Sequence, residues 1–360
     1  MEAKIKDKNL YYVGGVVRDE ILGIENFDID YCYEGNALEF AKEYNIVKKN
    51  SALGTVRVCI DGEEIDIAST RIEEYPLKGH LPVVTKIGCS LKDDLKRRDF
   101  TINAIAKNTV TNEIVDCFNG VQDIQSKKLK VLHSESFIED PSRILRGLKF
   151  SVRFGFILDD ETKKLQDEYL NNINYDLSFY RIKKELKETF NLNKQVAFEK
   201  FIEQGVYKLL GPNQKLPKPL TNIEELIIKY PVENPWIIYA GMFDLSNFEL
   251  TGEEAAILND FDKIKEAIPN NHIEIYNLFK SIKKESVLLY AILVDFSVAT
   301  LYLDSLADIK PLLTGKDLLN LGIPPGENYK QILNFLAEAK VKNPNLSKDD
   351  EINLVKEFVS

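Results

Sequence analysis

Four short clusters in the chain carry residue types whose spacing could do chemistry. In residues 27–33 (FDIDYCY) the side chains alternate with the period of a strand, so Asp28 and Asp30 project to one side. Two carboxylates that converge beside a phosphate can hold one or two Mg²⁺ ions. Asp66, in the EIDIA run at 64–68, would add a third if its strand lies alongside. Upstream, Gly14-Gly15-Val16-Val17-Arg18-Asp19 places two glycines at a strand-to-helix junction. Backbone amides can approach a phosphate there, the helix start adds partial positive charge, and Arg18 sits one turn in. Arg97-Arg98-Asp99-Phe100-Thr101-Ile102-Asn103 offers paired guanidiniums suited to triphosphate oxygens, with a carboxylate for a ribose hydroxyl. In Glu139-Asp140-Pro141-Ser142-Arg143-Ile144-Leu145-Arg146, Pro141 suits the first helical position and Asp140 the cap, which makes Asp140 and Arg143 surface neighbours. A carboxylate accepts from an exocyclic amine and a guanidinium donates to ring nitrogens or carbonyls. Such a pair can imitate a template base for C and for A, and mismatches G and U. Each cluster also has a plainer reading: a tight turn, an exposed strand face, a solvated charge cluster with Asp99 as a cap, and a capped helix with an ion pair.

Composition sets the frame. The 360 residues carry 47 basic and 57 acidic side chains, a formal charge of −10. Taken whole, that balance argues against a non-specific nucleic-acid binder. All nine arginines, however, fall within the first 181 residues, so polyanion chemistry is expected in that half. The cysteines Cys32, Cys59, Cys89 and Cys117 have no close spacing, which argues against a zinc site or a disulfide framework and fits reduced, cytoplasmic thiols. No apolar run is long enough for a membrane span, and the opening MEAKIKDKNLYYVGG lacks the apolar core of a secretory leader. The three histidines, His80, His133 and His272, offer no evident general base.

The elements that must position these clusters read as a mixed α/β head followed by helices. Residues 10–13 form a short apolar run, a helix is expected over 16–22, and 37–44 looks helical. Residues 54–60 and 64–68 read as a hairpin across Asp61-Gly62. Residues 69–90, with Pro76, Gly79, Pro82 and Gly88, read as a long loop. One helix is expected up to Arg98 and a second from Thr101, with a strand near 112–117 and a turn at Asn119-Gly120. From Asp140 onward the pattern is helical without strand signals, and GPNQKLPKPL at 211–220 reads as a boundary. A Rossmann dinucleotide site would need a third glycine after Gly15 and a suitably placed acidic residue, and neither is clear.

In this order, GGVVRD, DID, RRDFTIN and EDPSRILRGLKF, the clusters resemble the class II tRNA nucleotidyltransferases of the DNA polymerase beta-like superfamily, which also holds bacterial poly(A) polymerases. The likeness covers about residues 10–190. DCFNG with Asp123-Ile124 resembles a further family motif. Tyr180-Arg181 with Glu185-Leu186 resembles the neck-helix motif, with Tyr180 in place of its usual glutamate and Lys149 where arginine is frequent. The resemblance implies a polymerase beta-like α/β head with a small mixed sheet (1–125), a helical neck with the nucleotide-reading motif (126–200), and a helical body and tail that binds tRNA (201–360). It implies that Asp28 and Asp30 bind catalytic Mg²⁺, with Asp66 a candidate third catalytic carboxylate. Gly14, Gly15 and Arg18 would hold the triphosphate. Arg97, Arg98, Asp99 and Asn103 would orient the nucleotide, and Asp140, Arg143 and Arg146 would read CTP or ATP. The expected partners are the tRNA 3′ end, ATP and CTP, with no membrane and no stable protein partner. Full CCA addition is the expected product; A-only, CC-only and poly(A) synthesis are alternatives within the family. The 30 residues from Ile67 to Lys96 count against CC-only addition, and the loop EYP…GHLP at 74–82 looks somewhat like that of A-adding enzymes. From another class stands a non-catalytic nucleotide-binding relative, against which the intact Asp28, Asp30, Arg98, Asp140 and Arg143 argue.

Overall fold

The structure, a computed structural model, describes residues 4–26 and 29–359. It divides into two compact units, residues 1–214 and 215–360, and the division falls inside the proline-rich stretch 211–220.

The first unit opens with β1 (Leu10–Val13), α1 (Gly15–Leu22), β2 (Tyr31–Tyr33), α2 (Ala37–Phe40) and β3 (Asn45–Asn50). Then come β4 (Thr55–Ile60), β5 (Glu63–Ser69), β6 (Arg71–Glu74), β7 (Val83–Ile87), α3 (Leu91–Lys96), β8 (Ile105–Asn108) and β9 (Ile114–Asp116). Seven strands form one mixed sheet in the order β3-β4-β5-β2-β1-β8-β9, where only β2 and β5 run parallel. The β4–β5 hairpin turns on Asp61 (φ 50°) and Gly62 (φ 83°), the left-handed pair that a two-residue turn requires. Its strands bury Val56, Val58, Ile65 and Ile67, and the alternate positions face out. On the other side of β1 and β2, Val13, Cys32, Ala104 and Ala106 pack against Leu91 and Leu95 of α3, which clamps the two-arginine segment to the sheet.

Several expectations change. Of the strand expected over 27–33, only Tyr31–Tyr33 is ladder; Ile29 and Asp30 precede it, and Phe27 and Asp28 lie outside the described residues. The expected helix from Thr101 is a single 3₁₀ turn (Thr101–Asn103) that runs into β8. TINAIA is buried throughout, and a short run buried on all sides has no period to separate helix from strand. The stretch 69–90 is no loop but the β6–β7 hairpin with a tip at 75–82. It was illegible for the same reason as edge strand β3: these strands are largely exposed and carry no apolar alternation.

The helices follow: α4 (Gly120–Gln125), α5 (Ser136–Glu139), α6 (Ser142–Phe154), α7 (Asp160–Asn171), α8 (Phe179–Phe190) and α9 (Gln195–Glu203). A two-residue parallel pairing, β10 (Lys128–Leu129) with β11 (Ile157–Leu158), interrupts them and is too short to show in a sequence pattern. α6 packs on α8, burying Ile144, Leu145 and Leu148 on one and Ile182, Leu186 and Phe190 on the other. Gly120 starts α4 against the 3₁₀ turn, so close that a Cβ there would meet the Thr101 carbonyl oxygen at 2.2 Å.

The second unit is helical, from α10 (Ile223–Lys229), α11 (Trp236–Ala240), α12 (Gly252–Ile264), α13 (His272–Phe279) and α14 (Lys284–Leu293) to α15 (Phe296–Leu301). It closes with α16 (Gly315–Asn320), α17 (Glu327–Lys342) and α18 (Lys348–Val359). Trp236, Tyr239, Phe279 and Tyr290 fill its centre, and Leu318, Ile332, Leu336 and Val355 form a separate core near the end. Among the described residues, no helix is long and apolar enough to cross a membrane.

Replacing Gly120→Ala must displace α4 from the turn that follows Arg97-Arg98-Asp99. Overpacking of this kind costs about 2 kcal/mol, so the urea-unfolding midpoint should fall; an unchanged midpoint would show that the turn yields freely.

Candidate nucleotide-binding cleft

Where the β1–α1 junction, the end of α3, the β6–β7 hairpin, α6 and α8 meet, a cleft of about 880 Å³ opens. Eight of the nine arginines line it; the ninth, Arg57, does not. Ten cationic side chains face seven carboxylates in this lining, a local surplus of three positive charges in a chain of −10. The whole-chain charge had pointed away from polyanions, and the cleft reverses that locally.

The floor begins at Gly14, whose φ of 72° and ψ of −129° suit glycine and would strain other residues. A Cβ there would also stand 2.9 Å from Arg98 Nη1, so the glycine lets the guanidinium lie over the turn. Arg18 is 4% exposed. Its Nε donates to Asp19 Oδ1 (2.8 Å), its Nη1 to Asn103 Oδ1 (2.6 Å), and it stacks over Phe154 with 4.7 Å to the ring centre. Asp19 in turn accepts from Asn26 Nδ2 (2.7 Å). Burial pulls the Arg18 guanidinium below its ordinary range, against Asp19, which holds it up.

Arg97 and Arg98 share Asp94. Arg97 Nε donates to Oδ1 (3.0 Å) and Arg98 Nη2 to Oδ2 (3.2 Å), and Arg97 Nη1 also reaches Glu73 Oε1 on β6 (3.1 Å). Burial raises the Asp94 carboxyl, and Arg98 and Arg97 outweigh it to bring the group below its usual range. One donor is left over: Arg98 Nε is buried without a hydrogen-bond partner. A buried unpaired donor is costly in an empty pocket and useful in one that receives an oxyanion.

Asp99 is the hub. Its Oδ1 accepts from the Phe100 amide (2.8 Å) and Asn103 Nδ2 (2.9 Å), and its Oδ2 accepts from Arg146 Nε (2.7 Å). Arg146 Nη1 passes on to Glu185 of α8 (3.0 Å), where Lys149 also donates (2.7 Å). Lys149, placed where the family often has arginine, thus takes part in the same network. Burial alone would push the Asp99 carboxyl up, and Arg146 with Asn103 and the Phe100 amide brings it down to about 2.

Asp140 and Arg143 are 4% and 3% exposed, with Arg143 Nε 3.8 Å from Asp140 Oδ2. Asp140 Oδ1 accepts from the Ser142 amide (3.1 Å), although the cap position of α6 is Pro141 and not Asp140 as expected, and its Oδ2 pairs with Arg181 of α8. Arg143 donates to the Arg97 carbonyl (2.9 Å), Ser136 Oγ (3.2 Å) and Tyr75 Oη (3.4 Å). Both side chains are therefore held while still lining the cleft.

The structure thus brings together Gly14, Gly15, Arg18, Asp30, Arg97, Arg98, Asp99, Asn103, Asp140, Arg143 and Arg146. Asp28 lies outside the described residues. The β5 strand does lie beside β2, with Tyr31 opposite Ile67, but the Asp66 carboxylate does not line the cleft: Arg57 grips it through Nε (2.8 Å) and Nη2 (2.7 Å). The sequence reading missed Glu73, Tyr75 and Arg181 as site residues. Arg181 stands 41 residues from Asp140, and no local spacing links them.

A mixed sheet, a glycine turn under an arginine and a buried Asp–Arg pair thus frame a cleft with a local surplus of positive charge. Comparison with known proteins narrows this. The family model described as "Poly A polymerase head domain" matches residues 10–130. The chain is 30% identical to the A-adding tRNA nucleotidyltransferase of Halalkalibacterium halodurans, across 99% of this chain and 90% of that protein. It is also 30% identical to the A-adding tRNA nucleotidyltransferase of Geobacter sulfurreducens across 96% of this chain, and it spans only 44% of that longer relative. The CCA-adding enzyme of Streptococcus mutans is 30% identical across 78% of this chain and 71% of that protein. Among solved structures, a CCA-adding enzyme in an apo form superimposes with a TM-score of 0.78 at 25% identity, covering 97% of this chain and 91% of that one. The chain belongs to the class II tRNA nucleotidyltransferase family.

The acid dependence of folding should report the Asp99 hub. Its folded value near 2 lies below the ~3.9 of an unfolded aspartate, so the stabilisation is present above about pH 4 and lost as pH falls through about 2. Asp99→Asn should lower stability at neutral pH and flatten the decline below pH ~4 by about 2 kcal/mol, read by urea unfolding across a pH series. Parallel curves for the two proteins would refute the assignment.

Proposed function

We propose that the protein extends the 3′ end of tRNA with C and A from CTP and ATP, without a nucleic-acid template. The observation that carries this is the buried Asp140–Arg143 pair lining the same cleft as the unpaired Arg98 Nε. The Asp140 carboxylate accepts from the exocyclic amine of C or A, and Arg143 donates to the ring acceptor beside it. Arg98 and Arg18 neutralise the triphosphate, with the turn at Gly14 and Gly15 giving it backbone approach. The RNA 3′-hydroxyl then attacks the α-phosphorus in line and pyrophosphate leaves, so the chain's work is positioning and charge neutralisation.

Mg²⁺ fits this site. Among the described residues no group of three carboxylate, histidine or cysteine side chains forms a metal cage. Mg²⁺ usually takes one or two carboxylates and completes its shell with water and substrate phosphates, and Asp30, which lines the cleft, is of the type such a shell uses. Asp30 together with Asp28 would hold the ion, which when bound would supply activation of the hydroxyl and charge neutralisation at the phosphates. Asp66 could join them only by leaving Arg57, an exposed ion pair of a weak kind.

A second product is favoured by a specific finding: two curated relatives that match nearly the whole chain at 30% identity are both named A-adding. Under that reading the chain adds only the terminal A and another enzyme supplies the two C residues. Transcripts ending at the discriminator base, at C and at CC, each offered labelled CTP and ATP, separate the products. Extension of all three supports full CCA addition, extension of the CC end alone supports A-only addition, and a long A ladder would support poly(A) synthesis. Asp30→Ala should abolish incorporation, and Asp140→Ala or Arg143→Ala should let GTP and UTP compete with the proper substrates. An unchanged nucleotide preference in both would overturn the base-reading role.

A further inference from the structure

Helix α8 presents one face to the cleft through Arg181, Lys184, Glu185 and Glu188. Its opposite face is core: Ile182, Leu186, Thr189 and Phe190 are buried. Tyr180 belongs to neither face. It is the most exposed aromatic side chain among the described residues, at 73%, against 43% for Phe358 and 40% for Phe296. Lys184 follows four residues later, one turn along the same side of the helix, and is exposed where it lines the cleft; Tyr180 itself stands just outside that lining, next to Arg181, which belongs to it. Folding gains little from a tyrosine left in water, and no packing in this fold accounts for it.

An aromatic face beside a flexible cation is the pairing that holds single-stranded nucleic acid: the ring stacks on a base of any kind, and the cation meets the next phosphate. We propose that Tyr180 and Lys184 form the step over which the single-stranded RNA 3′ end enters the cleft, Tyr180 under one of its bases and Lys184 on the adjoining phosphate. This rests on the tRNA-extending reading above. The occupant follows from continuity with the cleft. The incoming nucleotide's base is taken inside by the buried Asp140 and Arg143, so a ring in solvent at the rim is left for the strand that must bring its hydroxyl to that nucleotide. Charge agrees on the other wall, where α6 sets the half-exposed Arg153 over the Phe154 ring.

Steady-state extension of a tRNA transcript should be measured for wild type, Tyr180→Ala, Tyr180→Trp and Lys184→Gln, varying RNA and ATP separately. Loss of one base stack corresponds to a roughly ten-fold rise in KM for RNA, expected in Tyr180→Ala with kcat and the KM for ATP unchanged, and reversed in Tyr180→Trp. Lys184→Gln should raise the RNA KM and weaken its dependence on salt. An unmoved RNA KM in Tyr180→Ala, or a rise in the ATP KM instead, would overturn the step. A 2-aminopurine placed among the last three bases reads stacking without turnover: its fluorescence should be quenched by wild type and not by Tyr180→Ala. That binding measurement stands even if the wild type proves not to extend tRNA, so the failure of the step and the failure of the functional reading remain distinguishable.

Discussion

Gathering eight arginines in one cleft is the constraint on which the rest of the first unit depends. Like charges at such density repel, and a buried guanidinium without a partner is costly. The chain answers with carboxylates, some on the arginine's own helix and some on other elements. Asp19 holds Arg18, Asp94 spans Arg97 and Arg98, Asp99 and Glu185 flank Arg146, and Asp140 takes Arg181. Asp19 and Asp94 hold arginines of their own helix or its end, whereas Asp99 and Glu185 reach Arg146 of α6 from the turn after α3 and from α8, and Asp140, between α5 and α6, reaches Arg181 of α8. Removing Asp99, Glu185 or Asp140 therefore unsettles two elements as well as one charge. The network is compensated but not neutral, and the remaining surplus is what a triphosphate would meet.

Much of this was legible because the chemistry-bearing residues are local clusters. Gly14-Gly15-Arg18, Arg97-Arg98-Asp99 and Asp140-Arg143 each sit within one turn or junction, so their spacing alone indicates a shared direction. The long-range closures were not legible. Arg181 reaches Asp140 from 41 residues away, Glu73 reaches Arg97 from 24, and Tyr75 reaches Arg143 from 68. Their geometry is set by the packing of α6 on α8 and by the β6–β7 hairpin, which no local period announces. Asp66 shows the reverse case. Its reading as a third carboxylate depended on its strand lying beside that of Asp30, and β5 does lie beside β2, but Arg57 at the directly opposed position holds the carboxylate.

The fold was readable where one face is dry and the other wet. The β4–β5 hairpin alternates cleanly and its Asp-Gly turn has the left-handed backbone such turns require. Where both faces are wet, as in β3 and much of β7, or both are dry, as from Thr101 to Ala106, the period vanishes and the assignment fails. The same principle explains why the helical second half reads well. Most of its helices keep a wet and a dry side, though α11 and the middle of α14 are buried all round, and α12 starts on the Thr251–Glu254 capping box.

The arrangement around Asp140 and Arg143 bears on how a protein could select a base without a template strand. Arg143 donates to groups of three separate elements: the Arg97 carbonyl at the end of α3, Ser136 at the start of α5, and Tyr75 at the root of the hairpin tip. Asp140 is capped by the Ser142 amide on one oxygen and paired with Arg181 on the other. A base edge that matches adds to this set without disturbing it. A base edge that does not match must leave a buried donor or acceptor unpaired, and unpaired polar groups discriminate far more strongly than a small change in apolar contact. Selectivity on this account is carried by the rigidity of the pair's supports as much as by the pair itself. If Asp140 and Arg143 read the base as proposed, loosening Arg181, the partner of Asp140, would weaken selection too.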